Sequence, residues 1–208
     1  MANCTIGQRF YTMTDAIKVK KLIYGVGVND SSHPVWTKLN GKSVICPFYS
    51  KWMGMLRRCY DPKLPSKHPT YVGCYVTEEW HLFSNFERWM KTQDWEGKEL
   101  DKDLLKAGNK LYSPDFCVFI PQELNLFTTD GGANRGEYPL GVYLDKESGR
   151  FRAHCRNPFT RKKENLGLFD TPEEAHLTWR KRKHELACMY ADQQTDPRVA
   201  EALRTRYL

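Results

Sequence analysis

One seven-residue segment constrains the fold of this chain more than any other. In residues 150–156, with the sequence RFRAHCR, basic and apolar side chains alternate without interruption. Because the side chains of a strand point alternately to its two faces, a strand here places Arg150, Arg152, His154 and Arg156 on one face and the apolar residues on the other. The segment therefore predicts a strand that is covered on one face only.

The residues on either side extend this prediction to a small domain. Two further short runs, Leu140–Leu144 and Lys163–Phe169, are separated from the middle strand by turn residues. Thr171-Pro172-Glu173-Glu174 then predicts the start of a helix, with Thr as the N-cap and Pro in the first turn. The apolar stripe of that helix comprises Ala175, Trp179, Leu186, Met189 and Tyr190. We expect a three-stranded antiparallel sheet packed on one helix.

Positive charge is concentrated on the same segment. The chain has 32 Lys and Arg against 25 Asp and Glu, a net charge of +7, and the stretch from Ser148 to Lys163 contains basic residues but no acidic one. Like charges on one sheet face repel, and a phosphate backbone would remove that repulsion. If Leu166 and Leu168 face the helix, Lys163 and Asn165 join the basic face, as does Tyr143. The pattern predicts a DNA-binding sheet, with a solvated polar face as the alternative.

The residues before this domain indicate a second, mixed unit. Apolar residues at helical spacing predict helices from Pro47 and over Leu82–Met90, and short strands are predicted at Tyr24–Asp30, Tyr71–Val76 and Cys117–Ile120. The Gly-rich segment near residue 130 predicts a linker. The predicted organisation is a lead segment (1–23), an α+β domain (24–127), a linker (128–137), the sheet domain (138–192) and a tail with a short helix after Asp196-Pro197 (193–208).

Composition narrows the class of protein further. No apolar run approaches the roughly 20 residues of a spanning helix, and the first residues do not resemble a signal peptide, so we expect a soluble, cytoplasmic protein without a membrane partner. The seven cysteines lack a framework spacing. A zinc set of Cys46, Cys59, Cys74 and Cys117 would contain no CxxC pair, so buried free thiols are the favoured interpretation. The basic run Arg180–Lys183 is interpreted as a solvated helix face near DNA phosphates.

Four motifs follow one another in residues 138–190: GV at 141–142, GRFRA at 149–153, RNP at 156–158 and NLGLFDTPEEA at 165–175. They resemble the APETALA/ethylene-response-factor domain, whose three-stranded sheet contacts the DNA major groove through Arg and Trp side chains. The resemblance assigns DNA contact to Tyr143, Arg150, Arg152, His154, Arg156, Lys162, Lys163 and Asn165. The strand Trp residues of that family are absent, with Asn165 at one such position, so its base preference does not carry over.

Three shorter motifs lie in order in residues 24–127, within Trp52–Tyr60, Gly73–Trp80 and Leu100–Cys117. They are similar to segments of phage HNH-type homing endonucleases, in which a DNA-binding domain of the kind just described often follows the nuclease. The resemblance implies a phage-encoded protein whose first domain is HNH-like, with a ββα-metal arrangement.

Residue by residue, the HNH pattern is incomplete. HNH chemistry needs a His that activates water and a metal held by Asp or His and Asn. Asp101 falls at the metal-ligand position, Lys102 replaces the His, and the later Asn position falls on Phe116; Asn109 has the position of a loop brace. A protonated Lys is a poor base. The pattern predicts a degenerate site; an active one would hold Mg²⁺ or another divalent metal in a rearranged cluster of Glu78, Glu79, Asp101 and Asp103.

Taken together, the sequence predicts a protein that binds double-stranded DNA and reads the major groove with its C-terminal sheet. One alternative is an active, metal-dependent homing or nicking endonuclease of HNH type. A second is a phage effector whose basic sheet contacts a host protein or RNA.

Overall fold

Helices and short strands are interleaved along the chain, which confirms the predicted α+β class. The computed structural model describes residues 21–64, 66–129 and 137–208. The strands are β1 (Trp36–Leu39), β2 (Lys42–Ile45), β3 (Tyr75–Val76), β4 (Glu99–Asp101), β5 (Leu111–Tyr112), β6 (Val118–Ile120), β7 (Val142–Asp145), β8 (Arg150–Arg156) and β9 (Lys163–Phe169). The helices are α1 (Pro47–Tyr60), α2 (Phe83–Met90), α3 (Gln122–Thr128), α4 (Pro172–Ala191) and α5 (Pro197–Thr205).

The first core forms between α1 and α2, and both predicted helices are confirmed. Helical spacing places Trp52, Met55 and Leu56 on one side of α1, where all three are fully buried. The Trp52 ring lies 5.5 Å from that of Phe83 in α2. Its indole Nε1 donates to the backbone carbonyl of Trp80 at 2.7 Å, so this large side chain is buried with its polar atom satisfied. This core anchors the segments that follow.

Two of the predicted strands differ in the structure. Residues 24–26 form a turn, because Tyr24 and Gly25 both adopt positive φ and Ile23 bonds back to Gly27, and Val28 contributes only an isolated bridge to Leu82. Residues 71–76 begin as a 3₁₀ turn and contribute only the two-residue β3, which pairs in parallel with β5. In both places the chain turns before a longer ladder of backbone hydrogen bonds can form.

A hairpin of β1 and β2 was not predicted. Its strands are joined by Asn40-Gly41, with φ values of 50° and 75°. An Asn-Gly pair between two runs of strand-forming residues is a strong hairpin signal, because both positions tolerate positive φ. The hairpin stands at the surface: every residue of β1 is exposed.

A second pair of strands leads into α3. Strand β4 pairs with β6 in antiparallel fashion, with Asp101 opposite Val118. Pro121 follows β6 and forms the N-cap of α3, a helix that the sequence analysis did not anticipate. Asp101 is the last residue of β4, and residues 102–109 lie in the loop that follows it, before β5.

The three-stranded antiparallel sheet β7-β8-β9 is present, and α4 packs against one of its faces. The helix begins as predicted, with the Thr171 side chain accepting a hydrogen bond from the Glu174 backbone N–H at 3.3 Å. Sheet and helix meet closely at Gly141, whose φ is +77° and where an added Cβ would lie 2.0 Å from the Trp179 ring. Met189, predicted in the apolar stripe, is exposed instead.

A second core joins the two halves of the chain. Its buried members include Ile120, Leu124 and Phe127 from the first half together with Leu186 and Leu203 from the second. Helix α5, which is capped by Asp196, contributes to the same core. The α4 helix therefore packs on the sheet and on α3 at once.

The predicted domain boundaries stay predictions. Residues 130–136, most of the proposed linker, lie outside the described residues, as do residues 1–20 of the lead segment. Within the described ranges, the structure contains no helix whose length and apolar character would let it cross a membrane.

Candidate nucleic-acid interface and polar cleft

The face of the sheet that points away from α4 collects the predicted DNA-contacting residues. On β8, Ala153 and Cys155 are buried against the helix, so the alternate positions lie on the opposite face. Cross-strand partners share a face. Arg152 pairs with Tyr143, His154 with Asn165 and Arg156 with Lys163. Seven of the eight predicted residues therefore share this surface, the open face, and Lys162 lies in the turn just before β9.

A bulge in β9 changes one expectation. The pairing shifts between Ala153 and His154, so that Leu166 and Gly167 both fall on the helix side, Gly167 with φ +121°. As a result, Leu168 lies directly opposite Arg152, and of the two leucines only Leu166 meets the condition of facing the helix. Lys163 and Asn165, which precede the bulge, keep the predicted orientation.

Part of the positive charge is neutralised by carboxylates outside the basic segment. Arg152 donates to Asp145 through Nε at 3.0 Å and also through Nη2. This guanidinium and the N–H and hydroxyl of Ser148 lower the pKa of the Asp145 carboxyl to about 2. Arg150 donates to Asp170 at 2.8 Å, in a pair that is well exposed and therefore easily opened. The expectation of an uncompensated charge is wrong for this end of the sheet.

The other end of the sheet retains its free cations. Within the described ranges, no carboxylate oxygen lies within 4.0 Å of the charged groups of Arg156, Arg161, Lys162 or Lys163. The Lys163 ammonium stands 5.0 Å from the centre of the Tyr143 ring, in a cation–π arrangement. The free charge is thus concentrated around the β8–β9 turn.

His154 belongs to the open face as a neutral group. Burial, followed by the nearby Lys163 charge, lowers the pKa of its imidazole, which keeps it uncharged at neutral pH. Its ring meets that of Tyr143 edge-to-face at 5.2 Å, and its buried Nδ1 has no partner among the described residues. A neutral imidazole can donate or accept one hydrogen bond at a base edge.

The basic run on α4 has a different role from the one predicted. Arg180 donates to the Tyr207 carbonyl at 3.0 Å, and Arg182 donates to Glu164 at 2.7 Å. Lys183 donates to the Phe127 carbonyl at 2.7 Å and lies over the Phe127 ring. Arg180 and Lys183 therefore bind carbonyls beside the second core, Arg182 links α4 to β9, and the interpretation as a solvated face applies to Lys181 alone.

Asp101 lies in a cleft of about 450 Å³ that is lined by residues within 58–129 and by Arg206. Its Oδ1 accepts hydrogen bonds from the backbone N–H groups of Asp103 at 2.8 Å and Leu104 at 2.6 Å. Burial is the largest influence on this carboxyl and raises its pKa above the usual value. The side chain therefore stabilises the turn that follows β4, and this use occupies one of its two oxygens.

Lys102 is buried as an ion pair. With 4% of its side chain exposed, its Nζ donates to both oxygens of Asp103, at 2.7 and 2.8 Å, and to the Asn109 carbonyl at 2.6 Å. All three ammonium protons therefore have hydrogen-bond acceptors. Asn109 donates to the carbonyls of Lys102 and Leu111 and thereby braces the loop. In this arrangement Lys102 is a fixed cation.

One amide of the cleft, that of Asn125, was not predicted as a site residue. Asn125 on α3 lines it together with Asp101 and Lys102. The position of the later Asn had been assigned to Phe116, which instead precedes β6 and lies beneath the Lys106 ammonium at 5.5 Å. The signal that could have found Asn125 is Pro121, a helix-start residue directly after a buried strand.

The cysteines do not assemble the predicted alternative zinc set. In the part of the chain that the structure describes, no group of three or more His, Cys, Asp or Glu side chains is placed to hold a metal ion. This also applies to the rearranged acidic cluster that includes Glu78 and Glu79. Burial raises the pKa of the Cys59 and Cys117 thiols to about 12, so both stay protonated in the core.

Comparisons with known proteins, made against family models, curated proteins and solved structures, found no match to this chain.

Proposed function

We propose that this protein binds double-stranded DNA through the open face of β7, β8 and β9. The observation that carries the proposal is the β8 strand, which presents Arg150, Arg152, His154 and Arg156 on a face that α4 does not cover. Three strands spaced about 4.8 Å apart span roughly 10 Å, which fits a major groove about 12 Å wide. The resemblance of residues 138–190 to the APETALA/ethylene-response-factor domain supports the same use of the sheet.

The distribution of free charge refines this interface. Arg156, Lys162 and Lys163 have no carboxylate partner in the described ranges, so they would contact phosphates at no cost of breaking an ion pair. Arg150 can reach DNA by opening its exposed pair with Asp170. Because Arg152 is paired with Asp145, it would contribute oriented hydrogen bonds to the DNA but no net charge to the interface. The strongest phosphate contact is therefore proposed at the β8–β9 turn.

The test is duplex binding over a range of salt concentrations, measured by fluorescence anisotropy. Each phosphate-contacting cation contributes about one unit to the slope of log K against log salt. We expect Arg156→Ala with Lys163→Ala to lower that slope by about two units and to weaken binding by about tenfold or more. A matched control, Lys67→Ala with Lys181→Ala, removes the same charge from exposed positions off the sheet and should change neither. Equal losses in the two double variants would contradict the interface.

We propose further that the HNH-like cleft does not cut DNA. The supporting observation is that Lys102, at the position of the water-activating His, is an ion-paired ammonium. Incubation with supercoiled plasmid and Mg²⁺ or Mn²⁺ should leave the plasmid intact. Nicking that disappears in Asp101→Ala would establish the alternative, a divalent-metal-dependent endonuclease.

The remaining alternative is a partner other than DNA. Because the RNA major groove is deep and narrow, a sheet built for the DNA major groove should discriminate against duplex RNA. Equal affinity for DNA and RNA duplexes of the same length, or binding that does not respond to the sheet substitutions, would favour an RNA or host-protein partner.

A further inference from the structure

The cleft around Asp101 contains a guanidinium that forms no hydrogen bond and no ion pair within 4.0 Å among the described residues. Arg58 lies in the last turn of α1, and its Nε is buried without a hydrogen-bond partner among the described residues. The guanidinium carbon lies 5.6 Å from the centre of the Tyr112 ring, and Glu99 acts on it from a longer distance. A buried charge without a hydrogen-bond partner is costly, and a bound anion would offset that cost. Arg58 is therefore the residue from which a ligand can be inferred.

Two more cations line the same cleft and also lack a carboxylate partner. Lys110 donates to the Thr70 carbonyl at 2.9 Å, and Arg206 donates to the Thr128 carbonyl at 3.0 Å. Within residues 21–64, 66–129 and 137–208, no carboxylate oxygen lies within 4.0 Å of the charged groups of these three residues. They come from α1, from the loop before β5 and from the segment after α5, so the folded chain brings them together.

The carboxylates of the cleft already have partners. Asp103 is paired with Lys102, Glu99 with Lys51 at 3.0 Å, and Asp101 accepts two backbone N–H groups. The lining contains four cations, Arg58, Lys102, Lys110 and Arg206, against the three carboxylates of Glu99, Asp101 and Asp103, so its net charge is positive. Such a lining repels a divalent metal ion and attracts an anion with several acceptor oxygens. A phosphate group meets this description, since its charge and its oxygens can be shared among cations approaching from different sides.

We propose that this cleft binds a phosphate group, held by Arg58, Lys110 and Arg206. A cleft of about 450 Å³ has room for a phosphate ester and not only for the ion. The ester belongs either to a nucleic-acid backbone or to a free phosphorylated molecule. The site is separate from the open face of the sheet, and it would stand if that face bound no DNA.

The first experiment uses the full chain and inorganic phosphate as the probe. Thermal unfolding is compared in phosphate and in chloride at equal ionic strength. A ligand present at about ten times its dissociation constant should raise Tm by about 3 to 6 °C. Arg58→Met, which removes the charge but keeps an unbranched side chain, should lose this rise while unfolding in chloride at the same or a higher temperature. The neighbouring Arg57→Met, at an exposed position paired with Asp61, is the matched control and should keep the full rise.

Two results would overturn the proposal. One is a wild-type Tm that responds equally to phosphate and chloride, and the other is an equal phosphate response in wild type and Arg58→Met. If Arg58→Met does not fold, Lys110→Gln replaces it, because that side chain is exposed. Its phosphate response should fall by about half or more, and an unchanged response would refute the site.

A second measurement identifies the source of the phosphate. If a DNA backbone supplies it, Arg58→Met should lower the salt slope of duplex binding by about one unit. An unchanged slope, together with a phosphate response that Arg58→Met abolishes, assigns the site to a free phosphorylated ligand. The variant Arg156→Ala with Lys163→Ala should keep the phosphate response, so a failure of the sheet interface and a failure of the cleft are distinguishable.

Discussion

Two basic segments, β8 with three arginines in seven residues and the run Arg180–Lys183 with four cations in four, have opposite roles in the structure. On β8 the basic side chains lie on the open face, and Arg156 has no acidic partner in the described ranges. On α4, Arg182 is paired with Glu164, and Lys183 is held by the Phe127 carbonyl. A local excess of Lys and Arg therefore indicates a binding surface only where the side chains lie on an uncovered face and no carboxylate from elsewhere in the chain is paired with them.

The partners also differ in how strongly they hold. Arg150 and Asp170 form an exposed pair, which contributes little to stability and can be exchanged for a phosphate. Arg182 has 29% of its side chain exposed and binds two carboxylates, Glu164 and Glu185. Substitutions in the strand should therefore change binding, and substitutions in the helix should change stability.

The largest effect is expected where the two regions meet. In Gly141→Ala, the added Cβ would lie 2.0 Å from the Trp179 ring, at a backbone φ of +77°. The backbone would be strained, and the overpacked contact should push the sheet away from α4. We expect a loss of about 3 kcal/mol or more in the free energy of unfolding, measured by urea denaturation. Gly149→Ala is the control, because its φ is +67° but nothing lies within 4 Å of an added Cβ. Equal losses in the two variants would show that the sheet and helix do not meet closely at Gly141.

The next effect separates the helix run from the strand. Arg182→Ala leaves Glu164 with only its hydrogen bond from Asn157, at 2.7 Å. We expect a loss of about 1.5 to 3 kcal/mol in unfolding free energy and an unchanged DNA dissociation constant for the folded protein. Lys181→Ala, at the exposed position next to it, should stay within about 0.5 kcal/mol of wild type. A DNA-binding defect in Arg182→Ala at unchanged stability would reverse the assignment.

A smaller effect depends on pH. Burial is the main cause that lowers the pKa of Lys183 from its usual 10.5 to about 8. Between these values the unfolded chain holds a proton that the folded chain has lost, so this residue makes stability rise with pH from about 8 to 10.5. Relative to Lys183→Met, wild type should gain on the order of 1 to 2 kcal/mol between pH 7 and pH 10, measured by urea denaturation.

The comparison with Lys183→Met is necessary because other groups titrate in the same range. The Cys59 thiol, whose pKa burial raises to about 12, ionises first in the unfolded chain, so it lowers stability as pH rises above its usual 9.0. This contribution is shared by both proteins and cancels in the difference. A difference that does not vary with pH would mean that Lys183 stays protonated against the Phe127 carbonyl.

The smallest effect concerns the neutralised end of the strand. Asp145→Asn removes the negative charge that faces Arg152. It keeps a side-chain oxygen that can accept the hydrogen bonds from the backbone N–H groups of Glu147 and Ser148 in the turn. Freeing one guanidinium should tighten duplex binding about threefold at low salt, with the advantage shrinking as salt rises. Anisotropy at two salt concentrations measures this. Weaker binding would show that Arg152 needs the carboxylate to hold its direction.

Most local elements could be predicted because their signals lie within a few residues. The apolar spacing of α1 and α2, the alternation of β8 and the Thr171 cap of α4 all follow from the geometry of a helix or a strand. The turn at residues 24–26 and the bulge at Leu166 were not predicted. Both depend on the backbone conformation of a few residues, and the surrounding residues have the sequence pattern of a regular strand.

The sequence by itself determined that the chain is α+β and that one strand presents four basic side chains on a single face. Only the tertiary structure decided which cations remain free. Arg150 meets a carboxylate 20 residues away, Lys183 a carbonyl 56 residues away, and Arg58 shares its cleft with Arg206 from the other end of the chain. The physical reason is that periodicity is a property of neighbouring residues, whereas the state of a charge is set by whatever the fold brings within a few ångströms of it.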